Sequence, residues 1–255
     1  MAAMSASSGP EFPQRALDWL SGGRAGAGDR VLTLGCAPGF CRMLSRRGVD
    51  LFAIHRDPEI AARCNQMPAT TGICALAESL PLDPCSVDAV LIHQSFDRMA
   101  PGLVLSEIAR VLRPSHCVGV SWMTRDDSVP WVRRLTALLR SVDPSAMSGD
   151  YGTDSVDSLL SSKYFPTTEQ SRHRIWVPVS RQGLVEMATS LPGIRRADDQ
   201  QRAELVQRVE QLHDDSAGPG GLLLPYQLEC WRGWVSHDEL TASIQVDDAG
   251  LRIRL

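Results

Sequence analysis

The chain has 255 residues, 26 Lys+Arg against 30 Asp+Glu, a formal charge of −4, and 43% hydrophobic with 22% charged residues. That length suits one large domain or two small ones, and the composition excludes wholesale disorder. The slight anionic excess argues against a general nucleic-acid or anionic-membrane binder, which needs cations to neutralise phosphate. Lys163 is the one lysine, a bias expected from a GC-rich coding sequence.

The opening, MAAMSASSGPEF, has neither a cationic start nor an apolar run of signal-peptide length, so a cytoplasmic location is expected. No segment approaches the roughly 18 apolar residues of a membrane span. Seven scattered cysteines without a CxxC pair fit free thiols better than a disulfide scaffold or a zinc site.

Residues 13–20 read as a short helix, stopped by the glycines of SGGRAGAGD. Short apolar runs at 31–34, 51–54, 73–76, 89–92 and 118–122 read as strands. Helical stretches lie between them, to Arg47, from Pro58 to about Met67, and over 103–112. Strand–helix alternation of this kind indicates βαβ units and a parallel sheet covered on both faces. After a helix at 132–139, the polar stretch 143–162 is expected to form a mobile loop or lid. Strands at 174–179 and 228–231 flank helices at 183–190 and 199–212, and suggest an antiparallel edge. The tail TASIQV-DDAG-LRIRL alternates around a turn and predicts a hairpin.

VLTLGCAPGF (31–40) is a strand running into a glycine turn and then a helix. There the backbone can approach a ligand, and helix-start N–H groups favour polar or anionic groups. A tight turn with no ligand uses the same residues. The dinucleotide fingerprint is absent, because Ala37 and Pro38 interrupt it and no glycine follows Gly39 at the right spacing.

The order of motifs resembles the class I S-adenosylmethionine-dependent methyltransferases, of the methyltransferase type 11-like, actinobacterial small-molecule kind. Residues 31–40 are similar to that family's cofactor loop, and LFAIHRDPEI (51–60) to its second strand and ribose turn. AESLPLDPCSVDAVLIHQSF (77–96) is similar to the adenine-side loop and fourth strand, and SEIARVLRPSHCVGVSWMTRDDSVPWV (106–132) to the following helix, turn and fifth strand. Leu224-Pro225-Tyr226 and Trp231-Arg232 resemble the terminal strand.

The resemblance implies an α/β, Rossmann-like, seven-stranded mostly parallel sheet with one antiparallel strand and helices on both faces. It implies a domain over 1–234, with a cofactor half at about 28–142, a substrate or lid half at about 143–234, and a hairpin extension at 235–255. It also implies S-adenosyl-L-methionine as cofactor, held by Thr33, Gly35, Cys36, Ala37, Gly39, His55, Arg56, Ala77, Glu78 and Gln94. A small-molecule or lipid-like acceptor is expected, with neither nucleic acid nor metal, and the C-terminal hairpin leaves a strand edge that could pair two copies as a homodimer or merely fray.

The chain departs from the family at chemical positions. Thr33 and His55 stand where acidic residues are usual. Losing a charge-assisted hydrogen bond costs about 1.5–3 kcal/mol, roughly 10- to 150-fold in affinity. Asp57 could replace His55 only through a rearranged turn. Ala37 replaces a glycine, at about 1–2 kcal/mol if the position is left-handed. Ser115-His116 replaces a Gly-Gly turn, where His116 is the residue expected to tolerate that region.

His93 and Asp97 flank the end of strand four, where a general base could sit, although His93 also fits a packed strand residue and no catalytic residue is assigned. Asp126-Asp127 reads as a solvated pair on an exposed turn, with no partner at metal spacing. Trp122, Trp131, Trp176, Trp231 and Trp234 could wall an apolar pocket or simply pack the sheet. Methyl transfer leads. A non-catalytic binding module on the same fold is the alternative, and a nicotinamide-dependent oxidoreductase fits poorly.

Overall fold

A computed structural model describes residues 11–144, 146, 153–241, 245–247 and 250–252. In chain order the elements are α1 (Gln14–Leu20), β1 (Arg30–Leu34), α2 (Pro38–Ser45), β2 (Asp50–His55), α3 (Pro58–Cys64), β3 (Thr70–Cys74), β4 (Val87–His93) and, after a 3-10 turn at Phe96–Arg98, α4 (Pro101–Val111). Then follow β5 (Leu112–Arg125), α5 (Pro130–Arg140), a 3-10 turn at Thr153–Val156, α6 (Asp157–Leu160), β6 (Thr167–Val179), α7 (Arg181–Thr189), α8 (Pro192–Arg195) and α9 (Asp199–Ser216). The chain continues with β7 (Leu222–Trp234), α10 (Asp238–Thr241), β8 (Gln245–Asp247) and β9 (Gly250–Arg252).

Seven strands form one sheet in the order β3-β2-β1-β4-β5-β7-β6, six parallel and one antiparallel. Pairing of β1 with β2, β1 with β4 and β2 with β3 is parallel. The early strands are nearly continuous apolar runs because helices cover both faces, and β4 is buried from Val87 to Ile92. The expected hairpin is present, with Gln245 opposite Arg252.

Three expectations need correction. The third strand lies at Thr70–Cys74, not 73–76, and leaves Leu76 outside it. The reason is packing: a Cβ on Gly72 would lie 2.0 Å from the Ala61 carbonyl oxygen, so β3 meets α3 backbone to backbone. Asn65 then pairs both polar groups of Gly72, accepting at 2.7 Å and donating at 2.9 Å, which covers part of an edge strand. The fifth strand begins at Leu112, directly after α4, not at 118. Within it Ser115, not His116, takes the left-handed conformation at φ +62°. The 143–162 stretch includes the 3-10 turn and α6. Residues 145 and 147–152 of it lie outside the described residues, as do the first ten residues of the chain and 242–244, 248–249 and 253–255 of the tail.

The chain divides into two compact units. One takes residues 17–120, 154–170 and 231–255. In it α1 packs on β5 at Gly119, where a Cβ would lie 2.5 Å from Leu20. Near the start of β4, buried Asp88 accepts from the Arg30 amide at 2.8 Å and from Arg113, with His116 Nε2 at 3.6 Å. The Arg232 guanidinium stacks between Trp19 and Trp234. The other unit takes 1–16, 121–153 and 171–230. Its core joins α5, α7, α8 and α9 through Leu135, Leu139, Leu184, Ile194, Leu205 and Val209. Among the described residues no helix is long and apolar enough to cross a membrane.

Candidate functional site

The strand order reverses at β1: β2 and β3 lie on one side, β4 on the other. In open α/β sheets such a reversal opens a crevice beyond the carboxyl ends of the two central strands. At that place the chain must turn sharply from β1 into α2. Gly35 makes the turn at φ +64° and donates its amide to Ile54 O at 2.8 Å. A Cβ there would lie 3.1 Å from Ser95 Cβ and 3.3 Å from Met99 Cε. Ser95, just past β4, donates to Leu34 O at 2.8 Å, so the ends of β1 and β4 are stitched together at the glycine.

Beyond Gly35 the loop uses no left-handed residue. Ala37 is extended, at φ −64° and ψ 149°, so the cost expected for alanine at this position is not incurred. No side chain caps α2, and Pro38 occupies its first turn. Its terminal N–H groups therefore carry the partial positive charge of the helix end. Gly39 is exposed, with open space where a Cβ would stand. Cys36 points inward, accepts from the His93 amide at 3.3 Å and lies 3.5 Å from Leu34 O. Burial pushes its thiol up to about 12.

Thr33 is buried, its hydroxyl 3.6 Å from the Cys41 sulfur. His55 ends β2. Its Nδ1 accepts from the Asp57 amide at 2.9 Å, which leaves the proton of the neutral imidazole on Nε2, facing away as a donor. Asp57 is not a spare acid for this position, because it caps α3 by accepting from Glu59 N at 2.9 Å. Arg56 is exposed, and its carbonyl accepts from the Cys74 thiol at 3.7 Å.

The loop after β3 is held from α4. Leu80 N donates to Glu107 at 2.7 Å, and Arg110 donates to the carbonyls of Leu80 and Leu82 at 2.9 and 2.8 Å. The Arg110 guanidinium holds the Glu107 carboxyl below its ordinary range, and Glu107 in turn raises Arg110. The Glu78 carboxylate accepts from Ala100 N at 2.8 Å. Ala77 precedes it, half-buried. Leu76 and Leu103 near these anchors are 58% and 60% exposed, large apolar side chains at the chain segments that border the loop.

Gln94 follows β4, exposed and left-handed at φ +56°. Cys36, Ala37, Arg56, Ala77, Glu78 and Gln94 lie in the loops that follow β1, β2, β3 and β4, together with Gly35, while Gly39 is in the first turn of α2 and His55 closes β2. Thr33 lies within β1 and is buried. His93 stacks on Phe40 with ring centroids 4.9 Å apart, and Asp97 is exposed. Sequence reasoning missed Ser95, a small residue whose value lies in facing Gly35 across a strand pair. It also missed Leu76 and Leu103, which look like core leucines in the sequence. In the other unit Asp126 is not solvated: it is buried, paired with Arg174 and bonded to Ser128 N at 3.1 Å, while Asp127 is exposed. Trp122, Trp131 and Trp231 are buried, and Trp176 lies exposed under the Arg174 guanidinium.

Comparison with known proteins gives a consistent picture. Residues 32–117 match the family model described as a methyltransferase domain. An uncharacterized methyltransferase of Mycobacterium tuberculosis is 34% identical over 230 residues, covering 88% of this chain and 89% of that protein. A solved structure from Anaeromyxobacter dehalogenans, named as a type II methyltransferase, superposes with a TM-score of 0.64 at 19% identity, covering 89% of this chain and 98% of its own. A structure from Anabaena variabilis, named as a methyltransferase from an antibiotic biosynthesis pathway, gives a TM-score of 0.57 at 12% identity, over 84% of this chain and 94% of its own. At these identities the two structures speak to the fold alone.

Proposed function

Because the chain belongs to the class I S-adenosylmethionine-dependent methyltransferases, we propose that it binds S-adenosyl-L-methionine at the loops following β1–β4 and transfers the methyl group to a small-molecule or lipid-like acceptor. The observation that carries the reading is the Gly35 turn. Its left-handed backbone, closed against Ser95 and Met99, leads into a helix start that no side chain caps. Such a turn brings bare backbone to a ligand and offers N–H groups to a carboxylate.

The residues present fit the cofactor's parts. The start of α2, through the amides of Ala37 and Gly39, suits the carboxylate of the methionine moiety. His55, with Nδ1 engaged by Asp57 N, offers its Nε2 proton to a ribose oxygen, so this site donates where the family ordinarily accepts. The anchored loop at Ala77 and Glu78, together with Leu76, offers backbone and apolar surface to adenine. Bound S-adenosylmethionine supplies an electrophilic methyl carbon on its sulfonium. The chain's own part is to fix that carbon in line with an acceptor, the kind of alignment that lowers a barrier without a base.

A second reading is favoured by Thr33. Its hydroxyl is turned to Cys41, so no polar side chain from that position meets a ligand. A binding module that keeps the fold but transfers no methyl would share this feature. Titration calorimetry with S-adenosylmethionine and S-adenosylhomocysteine decides the first step. Binding of both at micromolar strength is expected, and failure of either to bind below about 1 mM, some −4 kcal/mol, overturns the cofactor reading. Cofactor binding without turnover on any acceptor panel would favour the module.

A further inference from the structure

β5 ends on a cation that the fold leaves unmatched. The strand is buried without interruption from Cys117 to Met123 and then closes on the half-buried Thr124 and Arg125. The Arg125 Nε is buried and has no hydrogen-bond partner. Among the described residues, no ion pair or hydrogen bond engages the rest of its guanidinium. Arg202 and Arg232 also bury an unbonded Nε, yet their terminal nitrogens are engaged. Arg202 meets Asp199 and the Ala197 carbonyl, and Arg232 meets Glu169 and the Trp19 carbonyl.

The neighbouring acids do not supply the missing charge. Side chains of consecutive strand residues point to opposite faces, and Asp126 is committed elsewhere. Its carboxylate pairs with Arg174 and accepts from Ser128 N at 3.1 Å, while its amide donates to Pro225 O at 3.0 Å. Asp127 is exposed. A guanidinium cannot shed its proton to escape burial, as an amine or imidazole can. An unmade bond at a buried donor is costly, and each such group in a folded protein calls for a partner. A water can accept from Nε but brings no charge.

We propose that Arg125 is the anion-binding residue of a small-molecule site at the end of β5, taking an oxyanion, either a carboxylate or a phosphate ester. The guanidinium edge offers two parallel N–H donors at the spacing of two oxygens of such a group. The buried Nε takes one oxygen and a terminal nitrogen the other, so a single ligand supplies both the missing bond and the opposite charge. A lone half-buried arginine in a chain of net charge −4 suits a small anion and not a nucleic-acid backbone, which needs a cationic surface. Nothing in the proposed methyl transfer uses Arg125.

The test is heat melting and titration calorimetry of the full chain in Tris chloride. Inorganic phosphate and succinate are the probes, and sodium chloride of matched ionic strength is the control. At least one probe should raise Tm above the chloride control; phosphate alone identifies a phosphate ester, and succinate alone a carboxylate. Arg125→Gln keeps polar N–H groups but drops the charge, and should weaken that binding roughly 10- to 150-fold. Arg133→Gln, at an exposed position of α5, should leave it unchanged. Where Arg125→Gln does not fold, the parent decides alone: the assigned Arg125 Nε–H resonance should move with added probe and saturate. The proposal is overturned if neither probe stabilises beyond chloride, if Arg125→Gln binds as tightly as the parent, or if that resonance stays fixed. Water alone would then meet the buried Nε. S-Adenosylmethionine is absent from every arm, so failure here and failure of the cofactor reading are separate results.

Discussion

Replacing Gly35 by alanine tests the geometry on which the proposed cofactor site rests. At φ +64° an L-residue costs about 1–2 kcal/mol relative to glycine. The added methyl would also stand 3.1 Å from Ser95 Cβ and 3.3 Å from its hydroxyl, which is tighter than ordinary contact. Ser95 cannot step aside freely, because its hydroxyl donates to Leu34 O. Crowding of this kind adds about 1 kcal/mol, the low end for overpacking. A chain of this size loses about 2–4 °C in Tm per kcal/mol, so Gly35→Ala should melt roughly 4–12 °C below the parent. Gly39→Ala is the internal control. Position 39 is helical and its added Cβ meets nothing, so alanine should leave stability equal or raise it by about 0.5–1 kcal/mol. Differential scanning calorimetry of both, followed by titration with S-adenosylmethionine, separates fold from site. Gly35→Ala melting with the parent, or Gly39→Ala melting as low as Gly35→Ala, would refute the assignment of strain to residue 35.

Other expectations are shorter to state. His55→Glu should tighten S-adenosylmethionine about 10-fold, the lower end of a charge-assisted hydrogen bond, and unchanged affinity in calorimetry would show that a carboxylate is not what the site lacks. Arg110→Ala should loosen the loop after β3 and weaken cofactor binding with little change in Tm, because the loop loses two carbonyl partners and Glu107 its cation; a melting loss with unchanged affinity would contradict this. For Asp88, burial raises the carboxyl, but the Arg30 amide and the Arg113 guanidinium outweigh it and hold the group below its ordinary range. A depressed folded pKa stabilises above the unfolded value near 4 and loses that stability as pH falls through the folded value. Urea midpoints should therefore fall below about pH 4 in the parent and change less there in Asp88→Asn.

Much of the fold was legible because it rests on local rules. Apolar runs with glycine or proline punctuation located β1, β2 and β4, and Pro38, Pro58 and Pro101 each open a helix. What misled was tertiary. Residues 73–76 look like a strand, yet β3 is pulled to Thr70–Cys74 because only Gly72 lets it meet the Ala61 carbonyl. The turn expected after Pro114 became part of β5, since Ser115 accepts the left-handed state that a glycine would otherwise supply. The site was readable as a set of loops but not as a set of contacts. The sequence cannot tell that Thr33 turns to Cys41, that Glu78 accepts from Ala100 N, or that Ser95 closes on Gly35, because each partner comes from another strand or helix.

The absent acids at positions 33 and 55 take on a different meaning once those contacts are known. A carboxylate at position 33 would need a partner where Thr33 is buried against a thiol, and burying an unpaired charge is costly. The Thr33–Cys41 contact is therefore compatible with an uncharged residue and not with an acid in the same place. At position 55 the imidazole Nδ1 takes up the Asp57 amide, a bond that a glutamate could make only by turning one oxygen back toward its own chain. The Nε2 proton then presents a donor outward, and ribose hydroxyls accept as readily as they donate. On the proposed reading, recognition at this edge would rest on neutral donors, from His55 and from the start of α2, and not on acidic acceptors. Neutral hydrogen bonds contribute roughly half of what charged ones do, so a cofactor held this way should bind more weakly and with little dependence on salt.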